Sequence, residues 1–441
     1  MYLGGFEHLQ KAVAHSAFHD AGNIFDAPKC HPHTRTAVIQ KIMDWVSGFW
    51  EEGLEADILW FYGPAGAGKS AIARKIAELC ESEKHLLASF FFSRADPTCN
   101  NPTSLIATIA YQIAINFPAI RGKMAAVIER DPLLLTRSLE SQAMVLVVEP
   151  LQELIEVGYF NTISHRSVII IDGLDECATA TVQCKVLDAI SLLFQKYRLP
   201  LIILIASRPE RHLVHSFGTG SLAKFHTTLA LDDTYKPDDD IRLFLTDNFR
   251  RVKHTHPMRH YLDPSWPSVA VLDGLVKKSS GQFIYASTVV KYVSSIRHEP
   301  ADRLNVILGI RPPRHAREMP FGELDALYNH ILISVEDKEK LLLILGFHLS
   351  SWTDMGFNSI TIQEIERFLC LDRGTIELLL GDLSSVITIS DAAPYIHILH
   401  GSLRDFLLDA TRSKEFYIDL SGIHTICMHL CFHHIKKCKL L

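Results

Sequence analysis

The apolar positions along the chain follow two spacings, one typical of buried strands and the other typical of amphipathic helices. Short runs of apolar and β-branched residues predict strands, while apolar residues three or four positions apart predict the helices between them. The predicted strands are 57–62, 87–93, 167–171, 199–207 and 225–231, and the predicted helices include 38–50, 102–116 and 182–197. Strands that alternate with helices are typical of a parallel sheet with helices on both faces. The pattern therefore predicts an α/β fold for this part of the chain.

A glycine-rich turn separates the first predicted strand from an amphipathic helix. Residues 63–70 read GPAGAGKS and match the motif G-x-x-x-x-G-K-[ST]. Glycines allow main-chain N–H groups to approach a phosphate, and the first turn of a helix adds unpaired N–H donors. The motif therefore predicts a site for ATP or GTP in which Lys69 bridges the β- and γ-phosphates and the Ser70 hydroxyl binds Mg²⁺. The predicted contact residues are Gly63, Pro64, Ala65, Gly66, Ala67, Gly68, Lys69, Ser70 and Ala71.

Three carboxylates lie at and just after the end of the strand predicted over 167–171. Asp172 follows this strand directly, at the position where a P-loop protein holds Mg²⁺ either directly or through a water molecule. Asp175 and Glu176 come next and are expected at the same edge of the sheet. One of them could orient the attacking water as a general base, and we favour Glu176 over Asp175 for this role.

Two arginines follow other predicted strands. Arg208 comes directly after the buried run 199–207, and its guanidinium could pair with the γ-phosphate through two hydrogen bonds. Arg94 follows the run 87–93 and is a weaker candidate for a similar role. The predicted catalytic residues are thus Glu176, Asp175 and Arg208, and the predicted metal ligands are Ser70 and Asp172.

The pattern changes after residue 231, where predicted strands give way to predicted helices. Prolines at 312, 313 and 320 mark a linker, because proline disfavours helix both at itself and at the residue before it. Beyond the linker, residues 361–400 have the helix, helix, hairpin order of a winged helix. The predicted domains are an N-terminal segment with an amphipathic helix (1–50), a P-loop NTPase core (51–235), a helical lid (236–320) and a winged-helix domain that leads into a further helical region (321–441).

The overall composition is that of a globular protein without bulk attraction to polyanions. The chain has 441 residues, of which 48% are hydrophobic and 21% are charged, and its formal net charge is −6. The nine cysteines form no C-x-x-C pair, which indicates reduced thiols and a cytoplasmic location. No apolar run approaches the roughly 20 residues that span a bilayer, so we expect no membrane partner. The expected recognition helix, 373–383, has one basic and two acidic residues, so we expect no nucleic-acid partner.

Several motifs together resemble those of NACHT-type NTPases of the STAND class, and most of all the nephrocystin-type NACHT proteins of filamentous fungi. The matching segments are CHPHTR at 30–35, the phosphate loop, FFFSR at 90–94, DGLDE at 172–176, SRP at 207–209, DDI at 239–241, GQFIYA at 281–286 and HGSLRDFL at 400–407. These segments extend over most of the chain. A glycine after the magnesium aspartate, followed by an Asp-Glu pair, is typical of this family.

The resemblance implies an ATP- or GTP-driven signalling switch that is closed with diphosphate, open and oligomeric with triphosphate, and slow in hydrolysis. It also implies that Thr34 and Arg35 lie beside the base and the ribose, and that His400 contacts the β-phosphate of the closed form. The partners that it implies are further copies of the chain and an effector protein of unknown identity. Family members usually also carry an effector domain and a repeat array, so we expect either a truncated gene product or a bare switch module.

Two other functions stay open at the level of the sequence. One is a fast P-loop enzyme, either a mechanical ATPase or a small-molecule kinase, although no second substrate site is visible. The other is a scaffold that retains nucleotide without turnover. Turnover in the tens per second would favour the first, and a complete absence of turnover would favour the second.

Overall fold

The computed structural model describes residues 4–22, 29–49, 56–94, 96–162, 166–197, 199–220, 222–296, 298–310, 321–333, 335–350, 360–381, 383, 386–389, 394–398 and 401–438. The chain divides into two units. The first comprises Met1–Gly63 and Gly68–Tyr235, and the second comprises Pro64–Ala67 and Lys236–Leu441.

A five-stranded sheet forms the centre of the first unit, and all neighbouring strands in it run parallel. The strands are β1 (Ile58–Tyr62), β2 (Leu86–Phe91), β3 (Ser167–Asp172), β4 (Leu201–Ser207) and β5 (His226–Ala230). Their order across the sheet is β2-β3-β4-β1-β5. Both β3 and β4 are buried along their whole length, as expected for parallel strands covered on both faces. The α/β fold predicted from the alternation of strands and helices is thus confirmed.

The helices of the first unit cover the sheet and carry the connections between its strands. They are α1 (Gly5–Ala12), α2 (Thr36–Val46), α3 (Lys69–Ser82), α4 (Leu105–Asn116), α5 (Pro118–Arg130), α6 (Leu139–Ala143), α7 (Glu149–Glu156), α8 (Ala180–Lys196) and α9 (Arg211–Thr219). A π-helical turn, Met144–Val148, joins α6 to α7. Short 3₁₀ turns are His15–Ala17, Pro102–Ser104, Pro132–Thr136, Tyr159–Thr162, Leu174–Glu176 and Asp233–Tyr235.

Two features of the N-terminal region differ from what the sequence predicts. The apolar spacing places the first helix at residue 38, and this is wrong, because α1 precedes it. The predicted helix over 38–50 also ends early, since Gly48 has a φ of 81° and the N–H of Phe49 bonds to Asp44 O at 2.8 Å. This closure is a usual helix end, and it leaves Phe49 76% exposed rather than on the apolar face that its spacing predicts.

The residues before α2 pack as part of the first unit. A Cβ at Gly5 would lie only 1.8 Å from Ala125 O, so the close packing of α1 on α5 requires glycine here. Farther along, the N–H of His19 donates to Ser89 Oγ at 3.2 Å, and the Arg74 guanidinium donates to His19 O. This segment is therefore tied to β2 and to α3.

A side-chain amide covers part of the free edge of β2, an outermost strand of the sheet. Gln112 of α4 accepts from the Ser89 N–H at 2.9 Å and donates to Ser89 O, also at 2.9 Å. One amide thus replaces the two hydrogen bonds that a neighbouring strand would make at this residue. Such blocking protects an exposed sheet edge from pairing with another chain.

The second unit is mostly helical. Its helices are α10 (Pro237–Thr255), α11 (Val269–Ser279), α12 (Phe283–Val293), α13 (Pro300–Ile307), α14 (Gly322–Ile333), α15 (Lys338–Leu349), α16 (Ile362–Phe368), α17 (Thr375–Gly381), α18 (Gly401–Leu407), α19 (Ala410–Ser413) and α20 (Leu420–Cys438), with 3₁₀ turns at Arg259–Tyr261 and Lys414–Phe416. An antiparallel pair, β6 (Ile387–Ile389) and β7 (Ile396–Ile398), follows α17 and gives the predicted helix, helix, hairpin order. Its assignment as a winged helix stays a prediction. In the part of the chain that is described, no helix is long and apolar enough to cross a bilayer.

The tip of the phosphate loop, Pro64–Ala67, belongs to this second unit. Ala65 is 1% exposed and lies in the same apolar core as Ile241 and Tyr285. The N–H of Ile284, in the first turn of α12, donates to Gly66 O at 3.2 Å. The loop tip is therefore held by both apolar packing and a main-chain hydrogen bond.

Candidate nucleotide-binding site

The phosphate loop connects the end of β1 to the start of α3, as the motif predicts. Gly66 and Gly68 have φ angles of 73° and 97°, a region that favours glycine, and Gly68 directly precedes the first residue of α3. Gly63 is required for a different reason, because a Cβ there would lie 2.9 Å from Leu231 Cβ. The loop thus leads into a helix N-terminus, whose free N–H groups and dipole attract anions.

Lys69 is the cation of the site. Its Nζ donates to Gly63 O at 2.8 Å, so the side chain folds back along the loop that it follows. Burial lowers the pKa of Lys69 to about 8, although the nearby Asp175 carboxylate acts in the opposite direction. A bound phosphate would supply the negative charge that favours the protonated ammonium.

Asp172 and Ser70 provide oxygen ligands suited to Mg²⁺. The Ser70 hydroxyl is hydrogen-bonded to the Asp172 carboxyl, which is 3% exposed at the end of β3. Burial raises the pKa of Asp172 to about 7, and the Ser70 hydrogen bond opposes this effect. A hydroxyl and a carboxylate are hard oxygen donors of the kind that Mg²⁺ prefers. The two residues therefore fit a metal ion, whose role would be to neutralise charge on the phosphates.

Asp175 lies in the 3₁₀ turn after β3 and is paired with Arg208. The Asp175 side chain is 3% exposed, and its Oδ2 lies 3.1 Å from Arg208 Nε. Its Oδ1 accepts from the Arg208 main-chain N–H at 2.9 Å. Both carboxylate oxygens of Asp175 are therefore engaged by Arg208. This arrangement favours Glu176 over Asp175 as the base, and it places the Arg208 guanidinium on Asp175.

Glu176 follows in the same turn and is only partly buried. Its Oε2 accepts from the Arg94 main-chain N–H at 3.1 Å, and the Arg94 guanidinium donates to Asp175 O at 2.8 Å. Burial, together with the Asp175 charge, raises the pKa of Glu176. A raised pKa suits a general base that operates near neutral pH.

Of the three residues suggested only by the family resemblance, two lie in the described part of the chain. Thr34 and Arg35 are buried just before α2, and the Thr34 hydroxyl donates to His31 O at 2.7 Å. His400 lies outside the described residues. The proposed contacts of Thr34 and Arg35 with the base and ribose, and of His400 with the β-phosphate, stay predictions.

Two residues that matter for the site geometry are not predicted from the sequence. The Trp60 indole N–H donates to Ser207 Oγ at 2.9 Å and links β1 to the last residue before Arg208. Gln183 of α8 donates to Asp175 O at 3.2 Å and to Cys177 O at 2.8 Å. Neither Trp60 nor Gln183 belongs to a motif, and a buried tryptophan or glutamine gives no signal in the sequence of what it bonds to.

Comparisons with known proteins agree with this fold. Residues 40–208 match the family model described as Nephrocystin 3, N-terminal. Among curated proteins, the sequence has no match. The solved structure of the Walker-type ATPase PABY2304 of Pyrococcus abyssi is similar, with 15% identity, a TM-score of 0.50 and coverage of 87% of this chain and 99% of that chain. This likeness shows a shared fold.

Two further solved structures align with lower TM-scores. Cdc6p of Pyrobaculum aerophilum has 15% identity and a TM-score of 0.37, and the alignment covers 93% of this chain and 97% of that chain. A mutant form of RuvB of Thermotoga maritima has 11% identity and a TM-score of 0.35, with coverage of 82% of this chain and 92% of that chain.

The fold, the complete phosphate-loop motif, and the arrangement of Lys69, Ser70 and Asp172 define a P-loop NTPase. Within that class, the segment 40–208 is similar to the N-terminal family of nephrocystin 3.

Proposed function

We propose that this P-loop NTPase is a signalling switch of the NACHT type within the STAND class. It binds ATP or GTP with Mg²⁺, hydrolyses it slowly, and couples the nucleotide state to domain opening and oligomerisation. The motif resemblance and the match of residues 40–208 to a nephrocystin family model support this proposal. The observation that carries it is the hydrogen bond from Ile284 to Gly66 in the phosphate loop.

Each site residue has a role in this proposal. Lys69 holds the β- and γ-phosphates, while Ser70 and Asp172 hold Mg²⁺, which neutralises the phosphate charge. Glu176 orients the attacking water and accepts its proton. Arg208 exchanges its Asp175 partner for the γ-phosphate, because both are anions that a guanidinium can bind through two hydrogen bonds.

The Gly66 contact suggests how the nucleotide state reaches the helices of the second unit. A phosphate loop must direct its N–H groups at the ligand, so its main-chain conformation depends on which phosphates are bound. Gly66 O accepts from the first turn of α12, and Ala65 packs into the same core. Loop conformations that differ between diphosphate and triphosphate would therefore favour different arrangements of α12.

The partners and the cellular location follow from the same proposal. We expect the activated form to assemble with further copies of the chain and to act on an effector protein of unknown identity. The buried cysteines Cys80, Cys99 and Cys177 are thiols that form no disulfide, which supports a reducing compartment such as the cytoplasm.

The proposal is tested by amide hydrogen exchange in three states: free, with ADP or GDP, and with a non-hydrolysable triphosphate analogue. Mass spectrometry of the purified protein first identifies which nucleotide co-purifies. We expect exchange at the start of α12 to differ between the diphosphate and triphosphate states by at least tenfold. Lys69→Ala serves as the control, since it should abolish the difference.

Two outcomes would contradict the proposal, and each would favour a different function. Equal exchange at α12 in both nucleotide states, together with turnover in the tens per second, would indicate an ordinary fast ATPase. Equal exchange with firmly retained nucleotide and no turnover would indicate a scaffold.

A further inference from the structure

The amide of Gln183 holds the main chain on both sides of Glu176. The Gln183 residue is 3% exposed on α8. Its Nε2 donates to Cys177 O at 2.8 Å and to Asp175 O at 3.2 Å. These two carbonyls belong to the residues that flank Glu176 in the sequence. One side chain thus fixes the short turn that carries the candidate base.

His212 contacts the oxygen of this amide. The Gln183 Oε1 lies 2.6 Å from His212 Nε2 in the first turn of α9. An amide oxygen can only accept a hydrogen bond, so His212 Nε2 must donate the proton. The two carbonyls of Asp175 and Cys177 require the NH₂ group on their side, because carbonyl oxygens can only accept. The His212 donor complements this orientation and stabilises it.

We propose that Gln183, supported by a hydrogen bond from His212, is a positioning residue for Glu176 in nucleotide hydrolysis. This inference rests on the proposed function, in which Glu176 is the base. The turn Leu174–Glu176 is a single 3₁₀ turn that begins after Gly173, which has a φ of 70°. Its own main-chain hydrogen bonds run from Glu176 N–H to Gly173 O at 2.7 Å and from Cys177 N–H to Leu174 O at 3.1 Å. Loss of the amide would remove this donor from Cys177 O and one of the two donors from Asp175 O, whose other donor is the Arg94 guanidinium, and would let the turn relax. A small displacement of a base from its water lowers the rate far more than it lowers binding.

The test compares Gln183→Met with Gln112→Met. Methionine has a similar length but makes neither amide hydrogen bond. Gln112 is a matched control, because its amide also satisfies main-chain groups of the first unit, but at Ser89 in the edge strand. We expect Gln183→Met to lower kcat at least tenfold while the Kd for diphosphate changes less than twofold. Gln112→Met should keep kcat within twofold of the parent.

Hydrogen exchange provides a second measurement that does not depend on turnover. In Gln183→Met, the peptide covering 173–178 should exchange at least tenfold faster, whereas in Gln112→Met its exchange should match the parent. If the parent shows no hydrolysis, the proposed function fails, but this exchange result still decides whether Gln183 holds the turn. Unchanged exchange at 173–178, or an equal loss of kcat and nucleotide affinity, would overturn the inference.

Substitutions of His212 separate positioning from general stability. Glutamine at this position retains an N–H donor, whereas leucine has none. We expect His212→Gln to keep at least half of the parent kcat and His212→Leu to lose most of it, with nucleotide affinity unchanged in both. If the two variants have the same kcat, the orientation of the Gln183 amide does not depend on this donor and that part of the inference is wrong.

Discussion

The buried carboxyl of Asp172 should make nucleotide binding with Mg²⁺ depend on pH near neutrality. Burial raises the pKa of Asp172 to about 7 in the free protein, and the Ser70 hydrogen bond opposes this effect. A metal ion binds the carboxylate and not the acid, so binding must first remove the proton from any protonated Asp172. Affinity should therefore increase as the pH rises through 7 and then level off.

The size of the effect follows from the pKa. With a value of about 7, about a tenth of the Asp172 side chains are ionised at pH 6 and about three quarters at pH 7.5. The Mg²⁺-dependent affinity should thus be about eightfold weaker at pH 6 than at pH 7.5, which corresponds to about 1.2 kcal/mol. At pH 6, binding should also release close to one proton, because the bound carboxyl is ionised.

Isothermal titration calorimetry in buffers of different ionisation enthalpy measures both quantities. The control is Asp172→Asn, whose amide does not titrate, since phosphate groups themselves have a pKa near 6 and Lys69 titrates in both proteins. The difference between the parent and Asp172→Asn isolates the carboxyl, and it should vanish when EDTA replaces Mg²⁺. If the parent and the variant show the same pH dependence and the same proton release, Asp172 does not bind the metal as a carboxylate.

Three further variants test the site and the packing of each unit. Lys69→Ala should weaken triphosphate binding at least fiftyfold, because it removes the cation of the phosphate loop, which lies 2.8 Å from Gly63 O. Unchanged affinity in equilibrium dialysis would contradict the assignment of this loop as the phosphate site. Ile203→Ala, at a 2% exposed position in β4, should lower the free energy of unfolding by about 3 kcal/mol in urea titration, and a loss below about 1 kcal/mol would contradict the packing. Asp325→Ala should lower the free energy of unfolding by about 3–5 kcal/mol, because it leaves the Arg412 guanidinium without the carboxylate at 2.6 Å. If the buried charge is the cause, the added change Arg412→Met should recover most of that loss.

Local patterns in the sequence were sufficient to predict the central part of the fold. The strands β1, β3, β4 and β5 lie within two residues of the predicted runs, because a buried parallel strand needs a continuous apolar segment bounded by polar or turn residues. The phosphate loop was equally clear, since its glycines and lysine have fixed spacing and are contiguous in the chain. The predicted end of α2 is wrong because the helix ends before Gly48, whose φ of 81° does not fit a right-handed helix.

The sequence could not predict α1 or the protection of the β2 edge. The packing of α1 depends on Gly5 meeting Ala125, and that contact joins residues 120 positions apart. Likewise, nothing local to Gln112 indicates that its amide bonds to Ser89 in another element. Hydrophobic periodicity cannot predict such contacts. It indicates which face of an element is buried but not which residues pack against that face.

The sequence by itself determined the class of chemistry, because the groups that hold phosphate and Mg²⁺ are tied to a contiguous loop and to the ends of recognisable strands. Only the tertiary structure decided which partners the acidic residues have. Asp175 and Glu176 are adjacent in the chain and alike in chemistry, yet one is paired with Arg208 and the other accepts only a main-chain N–H among the described contacts. That difference arises because β3 and β4 are neighbours in the sheet, so the end of one strand brings a cation to the carboxylate that follows the other.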